Sequence, residues 1–405
     1  MKFSEEFKNL CYDSLFCILL LFIPSSIRIP NIITISLILF FLIDYKRSFK
    51  LDFKKLIQPH YLIFCFLMLY LFLKAIFTNT VFENNYTLFL IVLALPFLFL
   101  KVNNPTKIMV AFIGSVLFRI AIAGYNVSKY YFEHKNLNFF EGEIINNLLQ
   151  IERPYLGFLC VISTVILLWL TTIYHKIRYV LFFLAFLNIV FLSVISARLS
   201  IISIVLICVL YLIFYFNLSI LKKVQIFSIL LLTSSIILFF NSNLRKRLFI
   251  SSDIEQSIEK FKHHEPRFII WDCAYSIATQ KEFNILFGLN SKKELENQYS
   301  YWFDKKMTNK HRANFFIQSK LNSHNQFIGT YLTSGLLGLM LLFGFLFFQW
   351  INYKENFYKT SLTLSLFFFF IFEMVLERQL GVYIFTFVIC LLTLTSFGLV
   401  NNNKN

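Results

Sequence analysis

The sequence predicts an all-α fold: a polytopic membrane bundle of about 12 transmembrane helices with a small helical subdomain in one long loop. Three observations predict it. The 405 residues are 58% hydrophobic and 15% charged, against roughly 45–50% and about 25% in soluble domains, so too little polar residue is available to cover a globular surface. Apolar runs long enough to approach the roughly 30 Å of a hydrocarbon core, at about 17–25 residues each, recur along the whole chain. The intervening loops alternate between rich and poor in Lys and Arg, as membrane orientation demands.

Taken in order, the runs fall at 15–27, 29–43, 61–77, 86–100, 108–125, 155–174, 179–196, 199–216, 224–240, 325–350, 361–376 and 380–399. The first two are short and are separated by a break between Pro24 and Pro30, which suits a helical hairpin that does not fully span. No small-residue cleavage site follows the first run, only Ile23, Pro24 and Ser25, so it reads as retained rather than as a signal peptide. One set of alternate loops and ends holds sixteen Lys and Arg; the other, leaving aside 241–324, holds six. Both termini are therefore expected in the cytoplasm and the long loop outside. The expected organisation is 1–240 as about nine membrane helices, 241–324 as a periplasmic loop subdomain, 325–400 as about three further membrane helices, and 401–405 as a cytoplasmic tail. Within the long loop a helix should begin at Pro266, since proline suits a first helical turn, and end near 280–284, ahead of Gly288.

Several function classes drop out. The net charge of +16 resides largely in short loops, where it orients the chain against membrane lipids, so no nucleic-acid partner is implied. Six of the seven Cys lie in or beside apolar runs and only Cys273 in a long polar segment, which offers neither a disulfide framework nor a CxxC pair. The glycine at 288 stands alone where a Walker A loop needs two. HExxH and GxSxG are absent, and adjacent His263 and His264 cannot share one helix face. No metal and no cofactor is expected.

What remains is a set of polar residues on the outer side. Arg198 occupies a tight hinge, Ser196, Ala197, Arg198, Leu199, Ser200; it either snorkels to headgroups or faces a polar cavity. Arg267 precedes Trp271 by one turn on the loop helix and is either a solvated surface residue or part of a site. His324, followed by Asn325 and Gln326, stands where the loop re-enters the membrane; it either belongs to a helix cap supplied by Asn322 or Ser323 or serves chemistry. Glu373 and Glu377, four positions apart, should share a helix face, with Arg378 following. A carboxylate in an apolar helix is costly and is either paired or functional. Lys74 and Arg119 interrupt two runs and are given no role beyond helix packing or snorkelling.

This ordered set resembles the O-antigen ligase and polymerase superfamily. The resemblance rests on the hinge Arg198, the loop with Arg267 and Trp271, the stretch Leu286, Phe287, Gly288, the re-entry Asn322, Ser323, His324, Asn325, Gln326, then Gly335, Leu336, Leu337, Gly338, and finally Glu373 to Gly381. It covers roughly 196–381; the N-terminal half agrees in topology alone.

The resemblance implies a multi-pass glycosyltransferase of the bacterial inner membrane, working at the periplasmic face on a glycan carried by undecaprenyl diphosphate. It implies catalytic roles for Arg198, Arg267 and His324, with Asn325, Gln326, Trp271, Glu373, Glu377 and Arg378 as substrate-binding candidates. Those residue types suit the chemistry: guanidinium forks match diphosphate oxygens, and imidazole is a base near neutrality. The leading reading is an O-antigen ligase acting on lipid A core. The alternatives are an O-antigen or capsule polymerase whose acceptor is a second lipid-linked glycan and, from another class, a polysaccharide exporter or secondary transporter. Polar groups gathered outside rather than at midplane weigh against transport.

Overall fold

The computed structural model describes residues 4–26, 28–45, 58–80, 86–135, 142–215, 219–240 and 265–394. The basic loop at 46–57, the first part of the long loop with His263 and His264, and the tail 401–405 lie outside the described residues. Among the described residues every regular element is helical. The first ten are α1 (Glu5–Phe22), α2 (Arg28–Tyr45), α3 (Pro59–Phe77), α4 (Tyr86–Phe99), α5 (Pro105–His134), α6 (Gly142–Leu149), α7 (Arg153–Ile173), α8 (Arg178–Val194), α9 (Arg198–Leu210) and α10 (Ile220–Phe240). The long loop supplies α11 (Pro266–Ala278), α12 (Lys292–Lys306) and α13 (Lys310–Gln318), and α14 (Gln326–Tyr353), α15 (Phe357–Phe372) and α16 (Gln379–Thr393) follow.

Helices are what such runs must form, because lipid offers no partner to a backbone N–H or C=O. Prolines stand in the first turns of α3, α5, α7 and α11, where the missing N–H costs nothing. Asn104, Ser291, Asn309, Asn325 and Asn356 cap α5, α12, α13, α14 and α15 by accepting a backbone N–H.

Among the described residues six helices are long and apolar enough to cross a membrane: α3, α5, α7, α8 with the short turn before it, α9 with the π-helical turn that extends it, and α14. The apolar parts of α4, α15 and α16 are shorter, and the described residues do not confirm the expected count of about twelve. In α15 the reason is local: the chain leaves the helix at Phe372, and Glu373 is extended (φ −144, ψ 151). The expectation that Glu373 and Glu377 share a helix face is thereby corrected. Glu377 belongs to a separate 3-10 turn, Val375–Glu377.

The bundle is organised around α7, which packs against α5, α8, α9 and α15, while α16 packs on α4 and α3 on α14. Beyond the apolar run at 108–125, α5 continues to His134 and α6 follows before α7. Arg119 of α5 is buried and donates to the Gln150 side chain and carbonyl (3.2 and 2.6 Å), which ties α5 to the entry of α7. Helices α11 to α13 form a subdomain with its own core, Ile270, Cys273, Ile277, Tyr299, Phe303 and Phe316 among it, seated on Leu332 of α14.

Helix α14 breaks at Gly335 (φ 65, ψ −164). A Cβ there would meet Leu286 backbone atoms at 2.3 Å, and one at Gly288 would meet the Leu332 carbonyl at 2.6 Å. Only glycine at both positions lets the two backbones touch. Across the contact Leu289 N–H donates to Leu332 (2.8 Å) and Leu336 N–H to Ile285 (2.8 Å). Lys74 of α3 completes the joint: its ammonium donates to the carbonyls of Phe287, Leu289 (2.7 Å) and Thr333 (2.6 Å).

At the opposite end of the bundle, Asp44 pairs with Lys8 (2.8 Å) and Lys101 (3.7 Å), and Lys359 donates to the carbonyls of Leu392 and Leu394 (2.9 and 2.6 Å). The two polar ends are the basis of an orientation test. In a Cys-free background, cysteine at exposed Lys293 of α12 should react with a membrane-impermeant maleimide in cells whose outer membrane alone is permeable. Reaction only after inner-membrane lysis would reverse the orientation.

Candidate active site

Among the arginines that begin helices at one end of the bundle, Arg153 opens α7, Arg198 opens α9, and Arg267 stands second in α11. A helix N-terminus carries partial positive charge, so cations placed there need carboxylates or attract anions. Arg198 owes its position to a tight turn. Ser196 adopts φ 53, and the N–H groups of Ala197 and Arg198 bond to Leu192 and Ser196 carbonyls (both 3.0 Å), so α8 reverses into α9 with no loop to carry the arginine away.

Glu265 joins two of these cations. Its Oε2 accepts from Arg198 Nη2 at 2.9 Å and its Oε1 from Arg267 Nη1 at 2.8 Å. Burial pushes this carboxyl up, but Arg267 and Arg198 together outweigh burial and hold it below the usual carboxylate range. Arg267 Nη2 also donates to Glu373 Oε1 (3.1 Å) and to the Phe372 carbonyl (3.2 Å). The Arg267 Nε is buried and has no hydrogen-bond partner among the described residues.

Glu373 reaches a third group, since its Oε2 lies 3.5 Å from His324 Nδ1. His324 adopts φ 44, an uncommon conformation for a residue with a Cβ. Its N–H donates to Asn322 Oδ1 (3.1 Å), and Trp271 Nε1 donates to the preceding Ser323 carbonyl (2.9 Å). Arg153, Arg198, Arg267, Trp271, His324 and Glu373 all line one cavity of about 440 Å³. Such an array can hold an anion between cations while a nearby imidazole exchanges a proton.

Residues 181–343 match the family described as O-antigen ligase. This stretch belongs to the O-antigen ligase superfamily. No curated protein matches the chain. The O-antigen ligase region contains Arg198, Arg267, Trp271 and His324, whereas Arg153, Glu373 and Arg378 lie outside the matched residues. The match supports a coarse function, that of an O-antigen ligase or polymerase type of membrane glycosyltransferase.

The other sequence candidates stand apart from this cavity. Asn325 spends its Oδ1 on the Ile328 N–H as the cap of α14 (2.9 Å). Gln326 is buried, accepts from Leu376 N–H (2.9 Å) and donates to Thr330 (3.2 Å). Both amides are thus committed to holding the start of α14. Glu377 lies 3.6 Å from Lys292, and Arg378 pairs with Glu152. Sequence reasoning missed Glu265 and Arg153. A signal was present, because Glu152, Arg153, Pro154 and Glu265, Pro266, Arg267 each set an acid, an arginine and a proline at a helix start.

Proposed function

We propose that the chain transfers a glycan from undecaprenyl diphosphate to an acceptor hydroxyl at the periplasmic face of the bacterial inner membrane, as an O-antigen ligase with lipid A core as acceptor. The observation that carries this reading is the meeting of Arg198 and Arg267, 69 positions apart in sequence, on the two oxygens of Glu265 beside His324. Glu265 holds two like charges in place before substrate arrives. The donor's diphosphate then takes up donors such as the unpartnered Arg267 Nε.

In the transfer, the acceptor oxygen bonds to the donor's anomeric carbon as the bond from that carbon to the diphosphate oxygen breaks. The bonding pair leaves with undecaprenyl diphosphate, and the acceptor's proton passes to His324. Glu373 beside Nδ1 fixes the ring and leaves Nε2 for the hydroxyl, the division of labour that lets histidine act as a base. The guanidinium groups stabilise the charge that grows on the leaving diphosphate.

Arg198→Lys should lower transfer by about 10–100-fold, because lysine keeps the charge and loses the fork, and a hydrogen bond to a charged group is worth about 1.5–3 kcal/mol. Unimpaired turnover in a purified assay would remove Arg198 from the diphosphate. Ligase and polymerase separate in a deletion strain. Lipid-linked polymer retained with none on lipid A marks a ligase, and a single attached repeat unit marks a polymerase.

A further inference from the structure

A second opening lies beside the first at the same end of the bundle. It measures about 780 Å³ and is lined by Ser26, Arg28, Gln150, Tyr155, Arg378 and Tyr383 among others. Glu152 lines both cavities and pairs with Arg378, so one ion pair stands at their boundary. The reading of the first cavity gives this neighbour no role.

Its polar groups are held in advance. Asn31 Oδ1 accepts from Gln379 Nε2 (2.6 Å) and from the Tyr383 hydroxyl (2.8 Å), and that hydroxyl lies 3.0 Å from Thr34 Oγ1. These bonds fix α2 against α16 along one wall. Tyr155 is 1% exposed, and its hydroxyl has no hydrogen-bond partner among the described residues. A buried hydroxyl left unpaired costs about 1–3 kcal/mol, a cost that a ligand hydroxyl would relieve. Arg28 takes part in no ion pair among the described residues.

We infer that this second cavity binds the acceptor glycan, an oligosaccharide bearing an anionic substituent, and presents its hydroxyl to His324 across the Glu152–Arg378 boundary. The inference rests on the transfer reading of the first cavity. Transfer to a hydroxyl needs two bulky sugars present together, and a cavity filled by diphosphate and the first donor sugar leaves the acceptor to be held next door. Amides, hydroxyls and tyrosine rings are the groups that recognise sugars, and Arg28 supplies the cation for a phosphate or carboxylate.

The test uses the purified full chain with an undecaprenyl-diphosphate-linked glycan as donor and, in separate arms, phosphorylated lipid A core or a second lipid-linked glycan as acceptor. Arg28→Glu should raise the acceptor KM about tenfold or more in the arm that the protein uses, with donor affinity and unfolding temperature unchanged. A photo-crosslinking residue at Ser26 should capture the acceptor, and one at Ile202, in the first cavity, the donor. An unchanged acceptor KM, or capture of the donor or of no glycan at Ser26, overturns the inference. Failure of Ile202 to capture the donor, with no transfer by the unmodified protein in either arm, overturns the reading of the first cavity instead.

Discussion

Replacing His324 by Ala should lower glycosyl transfer by about 10²–10⁴-fold, the usual range for general base catalysis, while abundance and donor binding should hold at their normal levels. A capping role predicts a different pattern, because loss of a cap costs about 0.5–2 kcal/mol of stability and leaves turnover per folded molecule intact. The geometry separates the two, since the carboxamide of Asn325 caps α14 and the His324 imidazole does not. His324→Asn is the sharper variant. Asparagine tolerates the left-handed backbone found here and lacks a base of comparable strength, so it should match the alanine variant in rate and equal or exceed it in stability. Near-normal transfer per folded molecule by either variant would dismiss the base role.

Lys74→Met should unfold the protein or sharply lower its abundance, although methionine is far better suited to an apolar run. The ammonium serves three carbonyls, and each hydrogen bond to a charged group is worth about 1.5–3 kcal/mol. Losing them all costs on the order of 3 kcal/mol or more, more than a hundredfold in the ratio of folded to unfolded chains. If Lys74 merely snorkelled to headgroups, the same change would be neutral or would favour insertion. Thermal unfolding of the two proteins in one detergent decides, and an unchanged midpoint would return Lys74 to a lipid-facing role.

The helical class was legible because apolar composition leaves the backbone no alternative, and the start of α11 because Pro266 marks it. Arg198, Arg267 and His324 could be singled out because a charge beside an apolar run requires a reason. What holds them could not. Glu265 lies two residues before Arg267 in sequence and meets Arg198 across 67 positions, and no local pattern encodes that contact. The shared helix face expected for Glu373 and Glu377 failed for a related reason: helical spacing assumes a continuous helix, and the chain leaves α15 at Phe372 to bring Glu373 to Arg267 and His324. Lys74 was set aside because its partners are carbonyls, to which residue-type reasoning is blind.

The break in α14 has a bearing on how the protein meets bilayers of different thickness. An unbroken helix of 28 residues would be about 42 Å long and would answer a thinner or thicker membrane by tilting as one rod, moving whatever stands at its tip. Here the N-terminal segment, with His324 at its head, is bolted at Gly335 to the 285–289 loop and to Lys74, while the C-terminal segment remains a separate lever. Tilt forced on the lever is taken up at the joint. The distance between His324 and the arginines is thereby insulated from lipid composition.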